Sequence, residues 1–297
     1  MKAEGMIFDV QRFSLQNGPG IRTTVFFKGC ALRCWWCSNP EGQQREPERM
    51  YKPRLCAHCG ACTHACPNRL PPTGGFPAIG CAQCLCCMRA CPTGALSLCG
   101  RLVSAQELLA IALRDLAYYR RSGGGLTLSG GECLLQPNLA LPLLHMAAEQ
   151  GLHTAVDTCL FAPGEAVKES MHCTQLYLVD LKHMETGKHQ EGTGRGNETI
   201  LENLRALFAA CKDVWIRVPV IPGFNDTEEN FAAMAAFLRG EKAVQRVELL
   251  PGHNIGAEKY AFIGQNARLV LRASEEHLST LAAILLRAGL PVRIRKV

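Results

Sequence analysis

The sequence predicts a parallel α/β protein whose chain is interrupted by a small cysteine-rich domain. Short apolar runs alternate with helix-like stretches, a pattern typical of parallel strands joined by crossover helices. Six runs have the length and composition of strands, which is too few to close an eight-stranded barrel. They lie at residues 24–27, 125–128, 153–156, 176–181, 214–220 and 246–250. With 297 residues, 47% of them hydrophobic, the chain can bury the core of one large domain and a small one.

Strands and helices alternate regularly except after the first strand. Each later strand precedes a helix-like stretch or a loop, whereas the first precedes a long cysteine-rich stretch. Beyond that stretch, Ser104 and Glu107 form a capping box. The box predicts a helix that begins there and runs toward Tyr119.

Three cysteines follow the first predicted strand directly. Cys30, Cys34 and Cys37 have the spacing C-x3-C-x2-C. Three thiolates can cap three irons of a 4Fe-4S cubane and leave the fourth iron open to a small molecule, whereas ferredoxins supply four thiolates for each cluster. The triad therefore predicts a cluster with one open iron. For the triad taken alone, a zinc site with histidine as the fourth ligand is the alternative.

The segment at residues 50–99 contains two complete cysteine runs with the spacing C-x2-C-x2-C-x3-C-P. In two-cluster ferredoxins the fourth cysteine of each run binds the other run's cluster. This rule gives two ligand sets for two auxiliary 4Fe-4S clusters: Cys56, Cys59, Cys62 and Cys91, and Cys81, Cys84, Cys87 and Cys66. Zinc ribbons are the alternative, but they use isolated C-x2-C pairs. We expect residues 50–99 to form an inserted domain and residues 1–49 and 100–297 to form the larger one.

Charge and cysteine content restrict where the protein works and what it binds. The formal net charge is +6 with every thiol counted as neutral. Two four-thiolate clusters and one three-thiolate cluster would reduce it to about +1, so the charge does not favour a nucleic-acid partner. The chain lacks a basic-then-apolar N-terminal pattern and a membrane-spanning apolar run. We expect reduced cysteines, a cytoplasmic location and no membrane partner.

Polar residues follow the later predicted strands in chain order. They are Gly130, Gly131 and Glu132, then Asp157 and Thr158, then Asp180, Leu181 and Lys182, then Arg217 within the fifth strand, and His253 beyond the sixth. Parallel α/β proteins place their ligands at the carboxyl ends of strands, so the sequence predicts one binding site there. Each motif alone has an ordinary explanation, such as a turn glycine, a surface ion pair or a structural histidine.

Together the triad and these motifs resemble the radical S-adenosylmethionine (SAM) superfamily. More narrowly, they resemble the activating enzymes of glycyl radical enzymes, for which pyruvate formate-lyase activating enzyme is the best-known relative. The resemblance covers nearly the whole chain and implies a partial (β/α)6, TIM-like barrel with its active site at the carboxyl ends of the strands. The two cysteine runs make the insert similar to the ferredoxin-like, two-cluster domain of some of these activators.

The resemblance implies which residues hold SAM and its cluster. Cys30, Cys34 and Cys37 would bind the cluster, with Trp36 and Ser38 beside the adenine. The remaining SAM contacts would come from Gly130, Gly131, Glu132, Asp180, Leu181, Lys182, Arg217 and His253. Asp180 and Lys182 would take part in catalysis with the triad, and Asp157, Thr158 and Asp180 match a monovalent-cation site.

The same resemblance implies the reaction and the partners. Reductive cleavage of SAM would give a 5′-deoxyadenosyl radical, which takes a Cα hydrogen from the C-terminal glycine loop of a glycyl radical enzyme. Flavodoxin or ferredoxin would be the reductant. Two departures from the family pattern stand out: Asn17 replaces an Asp before Gly-Pro-Gly, and Cys133 replaces a common Pro.

Two other functions stay open on the sequence. The first is a radical SAM enzyme that modifies another peptide or a small molecule. Such maturases commonly carry auxiliary cysteines after the barrel, whereas the last cysteine here, Cys211, lies outside any cluster spacing. The second is a ferredoxin-type electron carrier, which would gain nothing from an open iron.

Iron analysis tests the predicted clusters. Anaerobic reconstitution should give about twelve irons per chain, because the cysteine spacings provide for three 4Fe-4S clusters. Replacing Cys37 by Ala should abolish SAM cleavage and perturb only one cluster. Zinc with little iron would contradict the cluster assignment.

Overall fold

The computed structural model describes residues 3–74 and 80–295; residues 1–2, 75–79 and 296–297 of the two predicted domains lie outside the described part. The strands are β1 (Glu4–Ser14), β2 (Arg22–Phe27), β3 (Glu48–Tyr51), β4 (Leu96–Cys99), β5 (Arg101–Ser104), β6 (Gly125–Gly130), β7 (His153–Thr158), β8 (Leu176–Asp180), β9 (Asp213–Val220), β10 (Val244–Pro251) and β11 (Val292–Ile294). The helices are α1 (Ala61–Ala65), α2 (Cys86–Arg89), α3 (Ala105–Leu113), α4 (Leu116–Ser122), α5 (Pro137–Glu149), α6 (Gly164–Ser170), α7 (Thr186–Thr193), α8 (Glu198–Ala209), α9 (Glu228–Leu238), α10 (Ala257–Phe262) and α11 (Glu275–Arg287).

All six predicted strands are present and adjacent in one sheet. That sheet has the order β11-β10-β9-β8-β7-β6-β2-β1-β5, and its members from β2 to β10 are mutually parallel. Parallel strands covered on both faces are buried throughout, as β2 is over Arg22–Phe27. Because sheet order follows chain order among these six strands, their carboxyl ends meet at one edge.

Three strands of the sheet, β1, β5 and β11, were not predicted because their apolar runs are short. β1 pairs antiparallel with β2 and β5, and β11 adds to β10 at the opposite edge. β1 is mostly exposed in its second half, and β11 has only three residues. Beyond β11, the guanidinium of Arg295 donates to the backbone oxygen of Gln16 at 3.2 Å. The chain after β11 therefore meets the loop after β1 across the open side of the sheet.

The helix predicted from the capping box is two helices. The N–H of Glu107 donates to Oγ of Ser104 at 3.2 Å, which confirms the cap. α3 ends at Leu113, however, and a separate α4 carries Tyr119. Between them the buried carboxylate of Asp115 accepts from Nε of Arg12 at 2.8 Å, so the chain is held against β1 at the break.

The longer helices cover the sheet with one apolar face. α8 buries Ile200, Leu204 and Leu207, whose spacing of four and three residues places them on one side of the helix. Among residues 3–74 and 80–295, no helix is both long and apolar enough to cross a membrane.

The cysteine-rich segment leaves and rejoins the large sheet through the antiparallel pair β3 and β4. The pair begins with Glu48 opposite Cys99, so entry and exit lie side by side. Directly after β2, the buried ammonium of Lys28 donates to the carboxylate of Glu48 at 3.1 Å and to the backbone oxygen of Glu41 at 2.6 Å. This buried ion pair joins the neck of the segment to the strand that leads into the cysteine triad.

Replacing Lys28 by Met should lower the free energy of unfolding by about 3–5 kcal/mol, because the carboxylate of Glu48 stays buried without its partner. The matched control is Lys188→Met, which removes one partner of the exposed Lys188–Glu191 pair and should cost less than about 1 kcal/mol. Denaturant unfolding of the anaerobically reconstituted protein, followed by tryptophan fluorescence, measures both. Equal effects would show that the neck pair is not stabilising.

Candidate active site

The carboxyl ends of the parallel strands line a cavity of about 220 Å³. Residues predicted for the site from distant parts of the sequence face this one space. They are Cys30, Cys34, Trp36, Cys37, Ser38, Gly130, Gly131, Asp157, Thr158, Asp180, Lys182, Arg217 and His253. The cavity thus combines three thiols with charged groups of both signs, which suits a ligand that binds iron and is itself charged.

Backbone hydrogen bonds hold the loop that carries the triad. The N–H of Cys30 donates to the carbonyl of Gln43 at 3.0 Å, and the N–H of Arg33 donates to the carbonyl of Thr193 at 2.7 Å. Burial raises the pKa of Cys37 to about 11 and raises that of Cys34 further. A bare thiolate would therefore be costly at either position, and a positively charged metal core would compensate it.

The donor set fits an iron–sulfur cubane. The three thiols are free of disulfides, and soft thiolate ligands favour iron–sulfur clusters. Within the two described ranges, no three His, Cys, Asp or Glu side chains form a group that could hold a single metal ion. A cubane takes one thiolate on each of three irons, and three cysteines that line one cavity can supply them.

The Gly-Gly motif ties β6 to the triad loop. The N–H of Gly131 donates to the carbonyl of Phe27 at 2.8 Å, and the N–H of Glu132 donates to the carbonyl of Gly29 at 2.7 Å. A Cβ on Gly131 would overlap the carbonyl of Gly29, and Gly130 has a φ of +109°. Backbone packing therefore requires both glycines, and their contact with the amino group of SAM stays a prediction.

Two predicted site residues have side chains behind the cavity wall. The buried carboxylate of Glu132 accepts from Oγ1 of Thr158 at 2.7 Å and from the N–H of Cys159 at 2.9 Å, and burial raises its pKa. Leu181 is 1% exposed, and its N–H donates to the carbonyl of Arg217 at 2.9 Å. Through these contacts Glu132 and Leu181 hold residues of the cavity wall in position, and their predicted contact with SAM stays a prediction.

Two ion pairs lie at the ends of β7, β8 and β9. Oδ1 of Asp157 accepts from Nη1 of Arg217 at 2.8 Å, and Oδ2 of Asp180 accepts from Nζ of Lys182 at 2.8 Å. Burial alone would raise the pKa of Asp180, but the charges of Lys182 and Arg217 outweigh it and lower that pKa. Burial likewise opposes the charge on Lys182, yet Asp180 raises its pKa. Asp180 and Lys182 are therefore ionised at neutral pH.

Three further residues belong to the site and were missed from the sequence. The second oxygen of Asp157, Oδ2, accepts from Nδ2 of Asn17 and from Oγ of Ser129, each at 2.9 Å. The buried thiol of Cys159 donates to Oε2 of Glu132 at 3.1 Å, and Cys159 lowers the pKa of the neighbouring Cys30 thiol. Ser129 precedes the Gly-Gly motif and Cys159 follows Asp157-Thr158, so both had a local signal. Asn17 had no such local signal; the sequence showed only that it departs from the family pattern.

The rim of the cavity offers flat groups to a heterocycle. The ring of Trp36 packs on Phe224 with centroids 4.7 Å apart, which fixes the indole beside the cavity. His253 also lines the cavity, and burial lowers its pKa, so the imidazole is neutral at neutral pH. An aromatic ring and a neutral imidazole suit adenine better than a second cation would.

Most of the insert cysteines lie near other members of their predicted sets. Cys66, Cys81, Cys84 and Cys87, which form one predicted set, line one small cavity together with Cys62 of the other set. Three members of the other set surround Tyr51, whose pKa is raised first by a hydrogen bond with Cys56 and then by the thiols of Cys62 and Cys91. Cys59 is exposed. The grouping agrees with an exchange of the fourth cysteine between the two runs.

The two runs repeat the same backbone conformation. In each, the N–H two residues after the first cysteine donates to that cysteine's sulfur at 3.4 Å, from His58 to Cys56 and from Gln83 to Cys81. Positive φ angles recur at equivalent places: His58 and Gln83, Gly60 and Leu85, Arg69 and Gly94. Leu85 and Gln83 adopt this conformation despite their side chains, so the loop geometry is strongly imposed.

Comparison with known proteins agrees with this geometry. A profile described as the radical SAM superfamily matches residues 80–235. The chain is 43% identical to the (2S)-3-sulfopropanediol sulfolyase activating enzyme of Bilophila wadsworthia, over 95% of this chain and 96% of the relative. It is 42% identical to the choline trimethylamine-lyase activating enzyme of Oleidesulfovibrio alaskensis, over 89% and 88%. A crystal structure of a domain of pyruvate-formate lyase-activating enzyme from Bacteroides vulgatus covers 59% of this chain and 100% of its own, with 35% identity and a TM-score of 0.51.

The profile covers more than half of the chain, and the fold and the cavity agree with it, so the protein is a radical SAM enzyme. The named relatives extend over nearly all of its length. Within the superfamily the chain belongs to the activating enzymes of glycyl radical enzymes. Membership implies a 4Fe-4S cluster and SAM as cofactors, and it confirms the family and the function that the sequence predicted.

Replacing Lys182 by Ala should weaken SAM binding by roughly 1–3 kcal/mol, because the variant leaves a charged group of the ligand and the carboxylate of Asp180 unpaired. Asp180→Ala should have an effect of similar size, and the clusters should remain in both variants. Lys188→Ala, an exposed lysine outside the cavity, is the control and should bind SAM normally. Isothermal titration under anaerobic conditions measures the affinities. Unchanged affinity in both cavity variants would show that this motif does not contact SAM.

Proposed function

We propose that Cys30, Cys34 and Cys37 hold the SAM-binding cluster and that the strand-end residues hold SAM beside its open iron. One observation carries the proposal: the triad and the strand-end residues line the same cavity, although the insert separates them in the sequence. When bound, the cluster supplies one electron that splits SAM into methionine and a 5′-deoxyadenosyl radical, which takes a glycine Cα hydrogen from the partner and leaves as 5′-deoxyadenosine.

The chain's own residues bind and orient SAM. The Lys182 ammonium and the Asp180 carboxylate form one ion pair. Lys182 can therefore bind the carboxylate of the methionyl part of SAM, and Asp180 can bind its amino group. Trp36 and His253 supply flat surfaces for the nucleoside end. With both ends held, these residues would orient the sulfonium of SAM for reaction.

We also propose that residues 50–99 form a ferredoxin-like domain with two auxiliary 4Fe-4S clusters. The support is the gathering of the two cysteine sets and the repeated loop conformation of the two runs. Clusters with four thiolates have no open iron for chemistry but can pass single electrons. The domain therefore relays electrons from an external reductant, flavodoxin or ferredoxin, toward the triad, and the Lys28–Glu48 pair fixes its neck beside the triad loop.

The protein partner is a glycyl radical enzyme that presents a C-terminal glycine loop, in the cytoplasm. The two relatives named above are activating enzymes of different partners, a sulfolyase and a choline lyase. The chain is 43% and 42% identical to them. Such equal similarity supports the class of partner and does not favour one member of it.

The relay is tested by removing one ligand from each auxiliary cluster. The double variant Cys59→Ala with Cys84→Ala should keep SAM cleavage when dithionite is the reductant, because a small reductant reaches the triad cluster directly. With flavodoxin the rate should fall by at least about tenfold. Glycyl radical yield on the partner, measured by electron paramagnetic resonance, gives both numbers.

Cys86→Ala is the matched control, since Cys86 lies in the same segment but outside the ligand spacing. It should leave both reactions unchanged. Equal losses with dithionite and flavodoxin in the double variant would instead mean that the insert has a structural role, as small cluster domains often depend on their metal to fold.

A further inference from the structure

The neck strand β3 carries a buried cation, Arg49, whose side chain faces the cysteine-rich segment. We propose that Arg49 is the counter-ion of one auxiliary cluster and makes that cluster easier to reduce than the other. The cluster is the one assigned to Cys66, Cys81, Cys84 and Cys87, which we call the Cys66 cluster. The inference rests on the two-cluster insert proposed above and deepens it, because it distinguishes the two clusters by their surroundings.

Arg49 is buried without a carboxylate to balance its charge. Its side chain belongs to a residue that is only 3% exposed. Within residues 3–74 and 80–295, no Asp or Glu forms an ion pair with it, and the neighbouring Glu48 is engaged by Lys28 at 3.1 Å. Residues 1–2, 75–79 and 296–297 contain no Asp or Glu. A buried cation is costly without a negative partner, so the protein side chains leave this charge unbalanced.

The hydrogen-bond donors of Arg49 are only partly used. Nη2 donates to Oγ1 of Thr73 at 2.7 Å, whereas Nε is buried and has no hydrogen-bond partner in the described part of the chain. A guanidinium carries five N–H donors, and buried donors are normally satisfied. The unpartnered Nε and the unbalanced charge both suit an anionic acceptor.

The cavity that Arg49 lines identifies the acceptor. All four thiols of the Cys66 cluster line the same cavity, together with Cys62 of the other set. A 4Fe-4S cluster with four thiolates and a 2+ core carries a net charge of about −2, and its sulfurs accept hydrogen bonds. Such a cluster would supply both the charge and the acceptor that Arg49 requires, so the residues present fit it.

The other auxiliary cluster has a neutral neighbour on the same strand. Tyr51 lies two residues after Arg49 and therefore on the same face of β3. It stands beside the thiols of Cys56, Cys62 and Cys91, and its pKa is raised above the usual value, so the phenol is neutral. β3 thus presents a cation to one cluster and a phenol to the other.

This difference in charge predicts which cluster is reduced first. One electron from the external reductant changes a core from 2+ to 1+ and the net charge of the cluster from about −2 to about −3. A buried cation stabilises the more negative state more strongly, so Arg49 raises the reduction potential of the Cys66 cluster. An electron that enters the insert therefore resides mainly on the Cys66 cluster before it passes to the triad.

The test is a redox titration of the full chain, followed by electron paramagnetic resonance. The triad is replaced by alanine (Cys30→Ala, Cys34→Ala and Cys37→Ala) so that only the auxiliary clusters contribute, and two separate reduction steps are expected. Arg49→Met should lower the equilibrium constant of the more easily reduced step by at least about tenfold, which is about 59 mV for one electron, and change the other step by less than about threefold. Equal shifts of both steps, or no shift, would overturn the proposal.

Two further variants in the same background separate charge from shape. Arg54→Met removes an exposed cation of the same segment and should change neither step. Arg49→Lys keeps the buried cation, so it should hold about eight irons per chain and retain the first step within about threefold. If Arg49→Met loses the Cys66 cluster, recovery in Arg49→Lys supports the counter-ion, and failure to recover contradicts it. Fewer than about eight irons with Arg49 intact would refute the two-cluster insert itself.

Discussion

The active-site cavity depends on the cancellation of buried charges. β7 carries Asp157 as its last residue but one, β8 ends at Asp180, β9 carries the guanidinium of Arg217, and Lys182 follows β8. Removing one partner of such a buried pair costs several kcal/mol, so these groups constrain one another's positions. The pairing is set by strand register, because Asp180 lies opposite Arg217. The sheet thereby fixes the electrostatic field before a ligand enters, which is the preorganisation that charged substrates and transition states require.

A second constraint acts on the cysteine loop, which has no regular structure of its own. Its position comes from two supports on either side of β2. On one side the backbone at Gly131 approaches Gly29 closely enough that only glycine fits, and on the other Lys28 is buried against the neck of the insert. β2, which leads into the triad, thus contacts both β6 at the cavity and the cysteine-rich segment. One short stretch of chain therefore connects the parallel sheet with that segment.

Features with a local signal could be predicted from the sequence, and features that depend on distant contacts could not. The six parallel strands have continuous apolar runs, and the cysteines have spacings typical of cluster ligands. Both patterns could therefore be recognised in the sequence. β1 and β11 owe their strand conformation to their neighbours, and the break at Asp115 exists because Arg12 lies across from it. Asn17 and Asp157 are 140 residues apart, so no spacing could reveal their hydrogen bond. The place of Glu132 behind the wall likewise depends on how the loop after β7 folds.

The paired neck of the insert gives the architecture an evolutionary consequence. Because β3 and β4 already run antiparallel and end at Tyr51 and Leu96, excision of everything between these residues would need only a tight hairpin turn to restore a continuous chain. The register of the parallel strands would not change, since the neck belongs to a separate two-stranded sheet. The fold can therefore acquire, lose or exchange the cysteine-rich segment at this point without a change in the parallel sheet that lines the cavity.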